Sequence, residues 1–215
     1  MDAQTADLKG SSSPTVNLHA LFLTCIIDAI EERDVATVDI PGAFLQTPMP
    51  KDEDPVHIRI AGRMVELLAA QYPEVYERYV ITTRKGTKVI YTVANKAIYG
   101  TLKAALLFWE KLSGKLQEWG FAPNPYDQCT VNKMINNKQA TIVWHVDDLK
   151  ISHADKAVVT EIIDFISKEF GQTAPLTIMR GKEHEYLGMT IDYSLKGKSK
   201  IPNVRLPSGG GPDIL

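Results

Sequence analysis

The segment Thr141–Ser152, TIVWHVDDLKIS, sets two aspartates side by side between two apolar, β-branched runs, and this constrains the chain more than any other feature. Each run has the residue types of a buried strand, so Asp147 and Asp148 cap a hairpin. Adjacent carboxylates repel each other and resist desolvation, and something must offset that cost. A hard divalent cation does so naturally. Mg²⁺ prefers carboxylate oxygens, keeps several waters and is usually completed by substrate phosphates. A third carboxylate on a neighbouring strand would let two ions sit about 4 Å apart, the arrangement that activates a hydroxyl and stabilises a leaving oxygen in phosphoryl displacement. Asp39 offers that carboxylate, at the end of the strand-like run Val35–Ile40 (VATVDI), which Pro41-Gly42 stops. Spacing alone leaves a plainer reading open, with Asp147-Asp148 a solvated turn and Asp39 a turn or cap residue.

The rest of the chain alternates helical and strand-like segments without a regular βαβ repeat, which predicts an α+β fold. Helices are expected over Ala20–Glu32, Val65 to about Tyr79 with a break near Pro73, Leu102–Trp119 and Asp155–Phe170. Strands are expected over His57–Ile60, Tyr79–Thr83, Lys88–Val93, Cys129–Ile135, Ala140–Val146, Leu149–His153 and Tyr186–Tyr193. A polar, Ser-rich lead-in over 1–14 and a Gly/Pro-rich tail over 194–215 read as disordered, which leaves one domain over 15–193.

With 44% hydrophobic residues the chain can bury a sizeable core. Its 24 Lys+Arg balance 26 Asp+Glu, so any contact with nucleic acid must rest on a local surface. The two cysteines, Cys25 and Cys129, offer neither a disulfide framework nor a metal knuckle and read as buried free thiols. The apolar stretch Ala20–Ile30 is interrupted by Thr24 and Asp28 and falls short of the roughly 20 residues of a membrane span. The N-terminus has no basic start followed by an apolar run, so the expectation is an intracellular protein, not a secreted one.

Four segments in order resemble the reverse transcriptases of Ty1/copia-type retrotransposons. TVDIPGAFLQTPMP (Thr37–Pro50) looks like that family's first catalytic motif, and NKAIYGTLKAALLFWEKL (Asn95–Leu112) like its Leu/Ile-Tyr-Gly helix motif. TIVWHVDDLKIS matches its hydrophobic-Val-Asp-Asp hairpin, and EYLGMTIDY (Glu185–Tyr193) is similar to its Phe-Leu-Gly strand after the palm. A lone VDD is weak; four motifs in register are specific as a set.

The resemblance implies a polymerase palm-like antiparallel sheet packed on helices, with partial fingers, and RNA-directed DNA synthesis with Mg²⁺, or Mn²⁺ in its place. It makes Asp39, Asp147 and Asp148 the expected metal ligands, with the backbone carbonyl of Ile40 beside them. Phe44 would lie under the incoming sugar and exclude a 2′-hydroxyl, although a plain core role fits it too. Tyr99 and Gly100 would lead into the helix lining the template and nucleotide pocket. Lys103 falls where many relatives have Gln, so it is either a substrate contact or a surface lysine. The implied partners are a primed RNA or DNA template and a deoxynucleoside triphosphate, and the implied location is a cytoplasmic virus-like particle or the nucleus.

Several side chains keep bland readings. His145, where relatives carry Tyr or Phe, reads as a packing or primer-contacting residue. Lys150, Lys156, Lys182 and Arg180 read as solvated charges at the margin of the nucleic-acid side, and Trp109 and Trp119 as core. No basic strand pair precedes the first helix to clamp a triphosphate, and no thumb or ribonuclease H segment follows Tyr193. The expectation is therefore an incomplete fragment. The alternative is an inactive remnant that at most binds nucleic acid, and a third reading, a two-metal phosphohydrolase on another fold, would need further His or Glu ligands near the acids, with His153 the nearby candidate.

Overall fold

The computed structural model describes residues 13–51, 54–101 and 103–195. Apart from Ser13, Pro14, Ser194 and Leu195, the expected lead-in and tail lie outside the described residues. Helix α1 (Leu18–Ile30) opens on Asn17, whose side chain accepts from the His19 amide. It closes on Glu32 in the left-handed region (φ 52°), with the Arg33 amide bonded to Asp28 O and the Glu32 amide to Ala29 O. This is a Schellman closure made without glycine, and it turns Arg33 back toward the helix it has just left.

Strand β1 (Asp34–Asp39) follows, then a long excursion carrying β2 (His57–Ala61), α2 (Arg63–Gln71), α3 (Pro73–Tyr76), β3 (Ile81–Thr82) and β4 (Lys88–Val93). The excursion forms its own antiparallel sheet in the order β2-β4-β3. The chain returns through α4 (Ala104–Glu118), β5 (Ala122–Asn124), β6 (Asp127–Ile135), β7 (Lys138–His145), β8 (Asp148–His153) and α5 (Lys156–Phe170). It ends in β9 (Thr177–Arg180), β10 (Glu183–Tyr186) and β11 (Met189–Asp192). The main sheet has six strands in the order β5-β6-β7-β8-β1-β9, antiparallel at every pair, and the α+β class expected from the sequence is the class observed.

Strand alternation gives the main sheet two different faces. On one, Ala36 and Val38 meet Ile151 and Leu149, which in turn face Ile142 and Trp144. Helix α5 packs here through Val158, Val159, Ile162, Ile163, Ile166 and Phe170, capped at its start by Asp155 accepting from the Ala157 amide. Helix α4 lies beside it, with Phe108 edge-on to Phe170 at 5.8 Å and Trp119 stacked on Phe165 at 4.1 Å. Both tryptophans of α4 and its C-cap, Trp109 and Trp119, thus belong to the core as expected, and Cys25 and Cys129 are buried and free.

The opposite face is polar at its centre. Thr37 and Asp39 oppose Lys150 and Asp148, which oppose Val143 and His145 on the other side. Lys150 corrects its sequence reading: at 1% exposure it is no solvated charge. Its ammonium is paired with Asp28 of α1, which also receives the Tyr193 hydroxyl at 3.4 Å and lies 3.7 Å from Arg33. Arg33 donates further to Thr141 at 3.0 Å and Ser152 at 3.4 Å. One carboxylate thereby fastens α1, the strand that begins with Asp148, and the chain beyond β11. Arg180 is likewise engaged within the fold, paired with Asp34 and donating to Thr160 at 2.8 Å.

One further expectation is corrected, and two strands are added to those read from the sequence. The single strand over Tyr186–Tyr193 is a hairpin, β10–β11, turning at Leu187-Gly188 with both residues at positive φ. Leu187 is apolar and so hid the turn. Strands β5 and β9 were not read at all, because β5 is an edge strand containing Pro123 and β9 is exposed throughout.

The β10–β11 hairpin buries His184, whose Nε2 faces Gly181 O at 3.1 Å and whose Nδ1 faces Thr37 Oγ1 at 3.5 Å. Burial pushes its pKa below the ordinary 6.5, against an opposing pull from the Gly181 carbonyl. The unfolded chain therefore binds this proton first, and His184 contributes stability that is complete above about 6.5 and declines as pH falls below it. Urea midpoints measured from pH 7 to pH 5 should fall, and His184→Gln should flatten that dependence.

Candidate active site

Strand β1 delivers Asp39 directly opposite Asp148, the first residue of β8. The pairing continues one step beyond the strand, where the buried Ile40 donates its amide to Asp147 O at 3.1 Å. Between β7 and β8 only Val146 and Asp147 make the turn, with His145 and Asp148 as the closing pair. Val146 sits at φ 60°, a region that β-branched residues avoid at a cost on the order of 1–3 kcal/mol. The ladders on both sides of the hairpin impose that strain, and it sets Asp147 at the tip.

A second segment reaches the same tip. The turn Ile98–Thr101 closes through the Thr101 amide to Ile98 O at 3.1 Å, and Gly100 takes φ 89°, the left-handed third position of a type II turn. This projects Tyr99, whose hydroxyl donates to Asp147 Oδ2 at 3.0 Å. The Tyr99 ring lies 4.2 Å from that of Phe44, centroid to centroid, and Phe44 meets Phe108 edge-on at 6.2 Å. Asp147, Tyr99, Phe44 and the core thus form a continuous line. Lys103, the remaining substrate residue expected from sequence, is the N-cap of α4 and accepts from the Leu107 amide through its carbonyl at 3.0 Å.

Desolvation raises the pKa of Asp39, and the Asp147 charge raises it further. Asp148 is raised for the same reason, by desolvation first and then by Asp147 and Asp39, with His145 opposing. The Tyr99 phenol is pushed to about 12 by burial and by its bond to Asp147. Arg33, Lys115, Lys150 and Arg180 pair with carboxylates other than these three. The donor set is all oxygen and carries excess negative charge, which is the chemistry a hard divalent cation fits. Among the described residues, however, no three His, Cys, Asp or Glu side chains are gathered closely enough to hold a metal ion as they stand.

Two further tyrosine contacts escaped the sequence. The hydroxyl of the buried Tyr186 donates to Asp148 O at 3.2 Å and approaches Val143 O at 3.5 Å, bracing the acidic hairpin from β10. Tyr186 stands where the resembling motif has Phe, and that substitution was the visible signal. Asp39, Asp148, Thr177, Glu185 and Tyr186 border a hollow of about 120 Å³. His145 is half-buried and its Nδ1 has no partner among the described residues. His153 lies at the far end of β8, roughly 17 Å from Asp148 at strand rise, where its Nδ1 accepts from the Asp155 amide at 2.9 Å. It is fully buried and cannot join the acids.

The raised pKa of Asp148 carries a stability consequence. Its folded form holds a proton more tightly than the unfolded chain, so stability declines as pH rises through 3.8 and the full penalty is present at neutral pH. Asp148→Asn should therefore stabilise the protein in EDTA at pH 7 by about 0.5–1 kcal/mol, a figure kept small because the site is partly screened by water. Urea denaturation checks this, and the gain should shrink as the pH approaches 3.8.

No protein-family model matches the chain, and no curated protein matches it. Among solved structures it is similar to apo telomerase from Candida tropicalis truncated from its C-terminal domain, at 12% identity and a TM-score of 0.46, over 86% of this chain and 39% of that one. It is similar also to apo telomerase from Candida tropicalis, at 12% identity and a TM-score of 0.46, over 89% of this chain and 37% of that one. A third is telomerase from Candida albicans in complex with a TWJ fragment of telomeric RNA, at 10% identity and a TM-score of 0.45, over 86% and 34% respectively. The chain spans between 34% and 39% of the length of these structures. No helix among the described residues is long and apolar enough to cross a membrane.

Proposed function

We propose that the chain carries the palm of a Ty1/copia-type reverse transcriptase and that its acids serve RNA-directed DNA synthesis, with the small β2-β4-β3 sheet as partial fingers. The observation that carries this reading is the opposition of Asp39 and Asp148 across β1 and β8, with Asp147 beside them on a strained hairpin tip. Asp39, Asp147 and Asp148, with the Ile40 carbonyl, would hold the cations. Mg²⁺ or Mn²⁺, when bound, would lower the cost of deprotonating a primer 3′-hydroxyl and neutralise charge on the triphosphate of the incoming nucleotide.

The protein's own contribution is positional. Strands β1 and β8 fix two carboxylates on one face, Tyr186 and the Ile40 amide hold the backbone of Asp148 and Asp147, and Lys150, on that same face, ties β8 to α1 through Asp28. Phe44 would meet the sugar, and the Tyr99-Gly100 turn and Lys103 would border the nucleotide and template.

Primer extension on an RNA template with deoxynucleoside triphosphates and Mg²⁺ or Mn²⁺ tests the proposal. Product that disappears with Asp147→Asn and Asp148→Asn supports it; product unaffected by both sinks it. A second reading, an inactive remnant that at most binds nucleic acid, is favoured by the dispersed carboxylates. It predicts no product, together with nucleic-acid binding at low salt that weakens as salt rises.

A further inference from the structure

Tyr99 does two things at once in this structure. Its hydroxyl occupies Asp147 Oδ2, and its ring covers Phe44, leaving that side chain 7% exposed. The first contact engages the hairpin-tip carboxylate, while Asp39 and Asp148 lie opposite each other across β1 and β8. The second closes the aromatic surface that an incoming sugar would need. We propose that Tyr99 is a latch engaging Asp147 and covering Phe44, and that divalent-cation binding by the three acids requires its release from Asp147. This inference rests on the cation reading of the three acids.

The latch is built to move. Tyr99 is 51% exposed, so swinging it outward sacrifices little buried area. It precedes Gly100, whose φ of 89° lies in a region glycine adopts without strain. A contact that cation binding must break opposes that binding by its own free energy, because the binding-competent form is then the minor one.

The test is titration of Mn²⁺ alone, followed by the electron paramagnetic resonance signal of free Mn²⁺, into the wild-type chain, Tyr99→Phe, Asp147→Asn and the double variant. Tyr99→Phe keeps the ring on Phe44 and removes only the hydrogen bond. Hydrogen bonds to charged acceptors make a tightening of Kd by about tenfold the expected result. In the Asp147→Asn background the same change should alter nothing. Equal or weaker Mn²⁺ binding by a folded Tyr99→Phe variant, with its urea midpoint near wild type, overturns the latch while leaving the cation site standing. Absence of Mn²⁺ binding in the wild type and in every variant overturns the cation reading and the latch with it.

Discussion

Replacing Asp28 with alanine should cost the folded chain about 3–5 kcal/mol, the range for removing one partner of a buried ion pair. The Asp28 side chain is fully buried and faces two cations, Lys150 and Arg33, as well as the Tyr193 hydroxyl. Without it, Lys150 keeps a desolvated ammonium with no carboxylate, whereas Arg33 still reaches Glu31, Thr141 and Ser152. Against a typical domain stability of about 5–15 kcal/mol, this brings the variant close to unfolding. Joint replacement, Asp28→Leu with Lys150→Met, should recover most of the loss, since apolar pairs of similar volume often match a buried ion pair. Urea denaturation followed by circular dichroism measures both. A loss below about 1 kcal/mol for Asp28→Ala would mean that Lys150 finds water or another acceptor. The link to the site is direct, because Lys150 lies two residues along β8 from Asp148 on the same face.

Much of this arrangement was legible in the sequence, and the parts that were not share a physical cause. The helices ending at Glu118 and Phe170 repeat their apolar residues over several turns, and the strands around Asn136-Asn137 and after Arg33 are β-branched, so each announced itself. The closure at Glu32 did not, because left-handed closures are usually signalled by glycine. Nor could Lys150 be recognised as buried: its partner Asp28 is far away in sequence, and a lysine in a strand is ordinarily at the surface. The same holds at the site. That Asp39 and Asp148 sit on neighbouring strands was legible, whereas the bond from Tyr99 to Asp147 joins a turn to a hairpin tip and exists only in three dimensions.

The second large effect concerns chemistry. Asp148→Asn changes a carboxylate to a carboxamide of the same shape, leaves the Tyr186 bond to the backbone in place, and relieves repulsion. The fold should therefore survive, while the anionic oxygen a hard cation needs is gone. Loss of partners that merely support metal ligands already costs about 10–100-fold, so loss of a ligand should exceed about 100-fold in rate. Stability and activity then move in opposite directions in one variant, which separates a damaged fold from a damaged site.

The measurement that bears most directly on the acid cluster is single-turnover extension of a primer annealed to RNA, with deoxynucleoside triphosphates and Mg²⁺ or Mn²⁺, comparing wild type with Asp148→Asn of verified stability. Cation-dependent product from the wild type, reduced by more than about 100-fold in Asp148→Asn, is the predicted result. Extension at the same rate by both proteins would contradict it.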